Sequence, residues 1–239
     1  MERLDKILSN LGYGTRKEIK KVIKQGIVSV NGVLIKDANA KVNPEEDKIF
    51  VGDEEVFYRE FIYLIMNKPA GVISATFDNR DETVVDLLHP EHQTFEPFPV
   101  GRLDKDTVGL LLLTNDGELN HKLISPKSGV NKIYFAHINE EVTEDDIKAF
   151  EKGVTLSDGY KCLPGKLEIV ENCGDMAKVH ITIQEGKFHQ VKRMFEARDK
   201  KVTYLRRVKF GNIDIDESLE EGEYRELTQD ELNLLCKDF

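Results

Sequence analysis

The sequence predicts an α+β protein in two parts, a small N-terminal α/β module followed by a larger mixed α/β domain. Three observations carry this reading. Two short stretches of helical periodicity lead into an Asn-Gly hairpin within the first 35 residues. An acidic, turn-rich stretch from Asn43 to Glu60 then reads as a hairpin plus linker, the best place for a domain boundary. Beyond it, apolar and alternating strands are interleaved with helices, without the strict strand-helix alternation of a doubly wound sheet.

The elements follow in order. Leu4, Ile7, Leu8 and Leu11 are spaced for a short helix that Gly12 and Gly14 end. Thr15 and Glu18 form a capping box for a second helix, with Ile19, Val22 and Ile23 on one face and Arg16, Lys17, Lys20, Lys21 and Lys24 on the other. Ile27–Val30 and Val33–Ile35 flank Asn31-Gly32, the favoured two-residue hairpin turn. Phe61–Met66 reads as an apolar strand running into the Lys68-Pro69-Ala70-Gly71 turn, and residues 83–88 as a short helix. His89 and His92 lack nearby thiolates or carboxylates to complete a metal site, so both are read as loop histidines.

Residues 97–117 are the centre of the chain. A Pro- and Gly-punctuated loop carries Arg102, Asp104 and Asp106, and Val108–Leu113 then forms a buried strand ended by an Asn115-Asp116-Gly117 turn. A rigid strand is a good platform for presenting a loop carboxylate. Next come a helix at 118–124, an alternating strand at 131–138, a helix that Thr143 and Asp146 start and Gly153 stops, and several strands over 154–185. Residues 185–195 read as a helix with Phe188, Val191 and Phe195 on one side and His189, Lys192 and Arg193 on another. A strand over Val202–Phe210 and a C-terminal helix capped by Thr228 and Glu231 complete the chain.

Composition narrows the class. Charged residues make up 33% and hydrophobic ones 40%, which suits an ordinary globular protein. The N-terminus lacks the apolar core of a signal peptide, and no apolar run reaches the roughly 18 residues of a membrane span, so a cytoplasmic protein is expected. Three widely spaced cysteines argue against a disulfide framework or a thiolate zinc site. The net charge of −10 is unevenly spread: residues 1–41 carry nine Lys/Arg against four acids, residues 186–211 nine against two, and residues 212–239 two against ten. Two basic segments on an acidic body fit a polyanion held in a defined groove.

The motifs then converge. Gly101-Arg102-Leu103-Asp104, followed by Thr107, Gly109 and Thr114-Asn115-Asp116-Gly117, closely resembles the signature of bacterial pseudouridine synthases of the ribosomal small subunit type. Lys68-Pro69-Ala70-Gly71, Lys132-Ile133-Tyr134 and Gly186-Lys187-Phe188-His189-Gln190-Val191-Lys192-Arg193-Met194 match further motifs of that family, with Lys187 standing where Arg is common. That departure keeps the charge and loses the bidentate fork. Arg3-Leu4-Asp5-Lys6 and Gly26-Ile27-Val28-Ser29-Val30-Asn31-Gly32 resemble the S4 RNA-binding domain. The resemblance implies an S4 domain over residues 1–57 and a mainly antiparallel catalytic domain with flanking helices over 61–239.

It also implies roles. Asp104 is the expected catalytic carboxylate, Lys192 the cation that keeps it ionised, and Tyr134 the aromatic that stacks on an extruded uracil, with Leu205 across the pocket. Arg102, Lys68, His189 and Arg193 are expected to hold substrate, and Arg3, Arg16, Lys17, Lys20, Lys21 and Lys24 to hold RNA. The implied substrate is ribosomal RNA, within an assembling subunit, with small-subunit RNA favoured over large-subunit RNA. No metal, organic cofactor or obligate protein partner is implied. Two other classes stay in view. Asp104-Lys105-Asp106-Thr107-Val108 also fits the nucleophile loop of haloacid dehalogenase-type phosphatases, but there the loop follows an apolar strand, whereas Pro97 and Pro99 precede it here. A non-catalytic RNA-binding assembly factor would use the S4 segment without needing Asp104.

Overall fold

The computed structural model describes residues 1–44, 46–56 and 58–237, and divides into two compact units. Met1–Ile62 and His89–Glu96 form the first; Tyr63–Leu88 and the chain from Pro97 onward form the second. The excursion at 89–96 lies outside the residues 1–57 that the sequence assigns to the N-terminal domain.

In the first unit, α1 (Leu4–Asn10) and α2 (Arg16–Lys24) pack on a four-stranded sheet made of 33–34, 28–30, 49–51 and 54–56. Thr15 caps α2 through a reciprocal exchange with Glu18, as the sequence predicts. Asn31 and Gly32 both have positive φ, 51° and 79°, the geometry of a type I′ turn. Leu4, Ile7, Leu8, Ile19, Ile23, Val28 and Ile49 are fully or almost fully buried, so apolar burial of roughly 1.5–3 kcal/mol per side chain holds the helices to the sheet. The basic face of α2 is left to solvent.

The second unit is built on a nine-stranded sheet. Its strands are β1 (Tyr63–Lys68), β2 (Phe98–Pro99), β3 (Val108–Thr114), β4 (Lys132–Ile138), β5 (Lys166–Asn172), β6 (Ala177–Ile183), β7 (Val202–Phe210), β8 (Ile213–Asp214) and β9 (Tyr224–Glu226). The order is β5-β6-β4-β7-β3-β1-β9, with β8 on β7 and β2 on β3. Every pairing is antiparallel except β3 with β7. That exception brings the segment after Asp104 beside the segment after Lys192. Gly109 permits it: at φ 99°, a Cβ there would lie 2.4 Å from the Arg207 carbonyl oxygen. The helices are α4 (Gly117–Ile124), α5 (Glu144–Lys152), α6 (Gln190–Glu196) and α7 (Gln229–Cys236), with α3 (Pro90–Gln93) belonging to the first unit. Among the described residues no helix is long and apolar enough to cross a membrane.

Three local readings are corrected. Residues 83–88 form turns, not a helix: Thr83 and Asp86 exchange hydrogen bonds as a cap would, but Pro90 holds His89 extended at ψ 146°, and the helix starts only at Pro90. Asp116 does more than end β3 in a turn, since it caps α4 by accepting from Leu119 N at 2.9 Å. The segment 185–189 is a loop, because His189 takes a left-handed φ of 50° and α6 begins after it. Phe188 therefore stands 70% exposed rather than packed with Val191 and Phe195.

Candidate active site

The loop that carries Asp104 is fixed from below. Ser74 Oγ donates to the Leu103 carbonyl and accepts from Leu103 N, at 2.9 and 3.0 Å. Gly71 N donates to the Lys105 carbonyl at 2.8 Å, and Lys105 Nζ meets Asp81 at 2.6 Å. Lys68 lies beneath, with 0% exposure, and donates to the carbonyls of Thr107 and Pro69 at 3.0 and 2.9 Å. Burial pushes its ammonium down to about 8, against the pull of Asp106 and Asp104. The sequence places Lys68 among the substrate-binding residues; the structure buries it under the loop, with its ammonium on backbone carbonyls.

Above the loop, six of the expected residues come together. Asp104, Tyr134, Lys192 and Leu205 line one small cavity of about 50 Å³, together with Arg102 and His189. They arrive from the β3 approach, β4, α6 and β7. Lys192 Nζ lies 3.0 Å from Asp104 and 2.6 Å from Asp106. Burial opposes the charge of Lys192, but the hydrogen bonds it donates to Asp106 and Asp104 outweigh it and raise its pKa. The same contact with Lys192 holds the Asp106 carboxyl below the usual range. His189 Nε2 approaches Asp104 at 3.6 Å, with its ring stacked on Phe188 at 3.8 Å. Tyr134 is 7% exposed and Leu205 6%, so the cavity offers an aromatic and an aliphatic wall beside the Asp104 side chain.

The floor is set by long-range contacts. Glu185, 6% exposed, accepts from Tyr160 Oη at 2.5 Å, Leu163 N at 2.8 Å and Gln190 Nε2 at 2.9 Å, which pins the loop ahead of α6. Donating to that carboxylate pushes the Tyr160 phenol up to about 12. Arg193, expected on substrate, is not in the cavity; it pairs with Asp158 and reaches the Phe188 carbonyl at 3.4 Å.

Sequence reasoning missed two residues here. Asp106 shares the cation of Asp104, and Thr107, 1% exposed, lines the cavity with a hydroxyl that has no partner. Both stand within three residues of Asp104, and Thr107 also belongs to the family signature, so adjacency and motif were the signals that could have found them. Among the described residues no group of three or more His, Cys, Asp or Glu could hold a metal ion.

The basic residues divide. In α2, Arg16, Lys17, Lys21 and Lys24 are exposed and make no salt bridge among the described residues, while Lys20 lies 3.9 Å from Asp5. Arg3 is taken up by Asp5 at 2.7 Å and by Asn39.

Comparison with known proteins places this geometry. The family model for RNA pseudouridylate synthase matches residues 62–197, and that for the S4 domain matches residues 2–49. The chain belongs to the RNA pseudouridine synthase family. Its members isomerise uridine in RNA, so the protein is an enzyme that acts on RNA and carries an S4 RNA-binding domain. An uncharacterized RNA pseudouridine synthase of Bacillus subtilis is 53% identical over 98% of both chains. The ribosomal small subunit pseudouridine synthase A of Haemophilus influenzae is 39% identical over 98% of this chain and 100% of its own. The ribosomal large subunit pseudouridine synthase B of Bacillus subtilis is 37% identical over 98% and 96%. A crystal structure of a pseudouridylate synthase aligns with 98% of this chain and all of its own, at a TM-score of 0.68 and 37% identity.

Proposed function

We propose that this enzyme converts one uridine of ribosomal RNA to pseudouridine, with Asp104 as nucleophile and small-subunit RNA, in an assembling cytoplasmic subunit, as substrate. The observation that carries the mechanism is the 3.0 Å contact between Asp104 and Lys192 in a cavity walled by Tyr134 and Leu205. The target base leaves its stack at a cost of a few kcal/mol, which contacts to the flanking backbone offset. Asp104 attacks C1′ as the C1′–N1 bond breaks. Lys192 keeps the carboxylate ionised in a site that sheds water on binding. The freed uracil turns between Tyr134 and Leu205, and C1′ rejoins at C5, releasing Asp104. The C5 proton leaves and N1 takes one up, so the formula is unchanged; the Tyr134 hydroxyl relays that proton. Arg102, exposed at the cavity rim, fills the space the base leaves or holds a phosphate. One bond and one proton move within a single nucleotide, so the reaction draws on no redox or group-transfer cofactor.

The preference for small-subunit RNA is supported by the Haemophilus influenzae relative. The Bacillus subtilis large-subunit relative, 37% identical over almost the whole chain, favours the second reading. Carbodiimide mapping of ribosomal RNA from cells lacking the protein, complemented with wild type or Asp104→Asn, separates them. The expected result is one missing site in small-subunit RNA, restored by wild type and not by Asp104→Asn. A site lost from large-subunit RNA moves the substrate, and restoration by Asp104→Asn overturns the nucleophile.

A further inference from the structure

A second cavity adjoins the first. It shares Arg102, Tyr134, Gly186 and Lys187 with the Asp104 cavity but includes neither Asp104, Lys192 nor Leu205. At about 490 Å³ it is of the size that holds small ligands, where the Asp104 cavity is about 50 Å³. Four cations line it, Arg102, Lys132, Lys187 and Arg207, and two of them are deeply buried. Arg207 is 2% exposed and Lys132 7%. Arg207 Nε donates to the Leu110 carbonyl at 2.8 Å, while its Nη2 is buried without a partner. Lys132 Nζ donates to the Val130 and Gln184 carbonyls at 3.2 and 3.1 Å. The one carboxylate in the wall, Glu185, is already held by Tyr160, Leu163 and Gln190. Asn120 adds a buried amide oxygen that also lacks a partner.

Leaving a buried donor or acceptor unmet costs about 1–3 kcal/mol each, and such orphans mark places where something binds. Here the orphans are of both kinds: a donor on Arg207 and an acceptor on Asn120. A backbone phosphodiester offers acceptors alone and would leave Asn120 unmet. A nucleobase edge offers acceptors and donors side by side, and guanidinium is well suited to base acceptors. The remaining wall is what a base face needs, with Tyr160, Phe210, Ile124 and the flank of Tyr134.

We propose that this cavity receives a second unstacked nucleobase, that of the nucleotide adjoining the target uridine. Arg207 and Asn120 read its edge and Tyr134 stands between the two bases. The proposal rests on the Asp104 cavity being the uridine site. Two isoleucines separate the readings, because Ile183 lines the first cavity and Ile124 the second.

The experiment is titration of the full-length protein, isoleucine-methyl labelled, by NMR with uridine 5′-monophosphate, with uridine-containing dinucleotides in both orders, and with inorganic phosphate. The expected result is that the mononucleotide moves Ile183 and spares Ile124, while a dinucleotide moves both and binds roughly tenfold more tightly, as one base stacked in an aromatic pocket should. Ile124 is 43% exposed, so Ile124→Trp fills the cavity without burying new bulk in the core, and it should bring the dinucleotide-to-mononucleotide affinity ratio close to one. Asn120→Ala should lower the same ratio. A dinucleotide that leaves Ile124 unmoved, a mononucleotide that moves it, or phosphate that moves it as far as a dinucleotide does would each overturn the second-base site. A mononucleotide that leaves Ile183 unmoved overturns the uridine site instead.

Discussion

Helix α2 and the segment 186–211 look alike in the sequence and behave differently in the fold. Both are rich in Lys and Arg. In α2, Arg16, Lys17, Lys21 and Lys24 point into solvent with no salt bridge among the described residues. In the second segment, six of the nine cations are taken up by carboxylates from elsewhere in the chain. Arg198 and Lys200 hold Asp146 at the start of α5, Arg206 holds Glu217, and Lys209 holds Asp214. Arg207 is buried, and Lys187 sits 5.0 Å from the centre of the Tyr160 ring. The segment 186–211 therefore presents far less free charge than its composition suggests. A charge count reports a field only where the charges have no partners, and the partners of Lys192, Arg193, Arg198 and Lys200, 35 to 88 residues away, are invisible to a local count.

The difference is sharpest at Lys192, whose charge is spent inside the site. Lys192→Met should lower kcat roughly 10³-fold, the scale on which a single transition-state donor acts, while RNA affinity changes little. Single-turnover kinetics beside a filter-binding isotherm checks both. Its pH profile adds a sign. Lys192 holds the Asp106 carboxyl below the usual range, so without the cation that carboxyl takes up its proton at higher pH. The acidic limb of kcat should move up in pH. A limb that stays in place would mean that Lys192 does not govern that ionisation.

The same contrast explains which features were legible. Capping boxes at Thr15, Thr143 and Thr228, the Asn31-Gly32 turn and the alternation of β4 are all written within a few residues, and each lies where the sequence puts it. The loop before α6 was not legible, because Glu185 is held by Tyr160 and Leu163, more than 20 residues earlier. The burial of Lys68 was not legible either, because nothing local announces that its ammonium will meet the Thr107 carbonyl. Asp104, Tyr134, Lys192 and Leu205 were named together through the family motif; their residue types alone fitted several chemistries. The parallel pairing of β3 with β7, which brings the two ends of the site together, has no signature in either strand.

A smaller effect tests the free half of the comparison. Replacing Lys17, Lys21 and Lys24 together by Gln should weaken RNA binding about tenfold at low salt and make the slope of log affinity against log salt shallower by about 2, since each phosphate contact on single-stranded RNA contributes about 0.7. Turnover at saturating RNA should hold. Titrations at four salt concentrations decide it, and an unchanged slope would show that α2 faces away from the phosphates.

The smallest effect tests the paired half. Lys209 Nζ meets both oxygens of Asp214, at 2.9 and 3.0 Å, across the β7–β8 turn, so the pair presents almost no net field. Replacing both partners at once, Lys209→Gln with Asp214→Asn, keeps the net charge and removes one surface ion pair of about 0–1 kcal/mol. RNA affinity should stay within about twofold and the salt slope should not move. If the slope instead falls by about 0.7, Lys209 exchanges its carboxylate for a phosphate on binding. The internal pairs of 186–211 would then be placeholders for RNA, and the two basic segments would differ in the free protein but not in the complex.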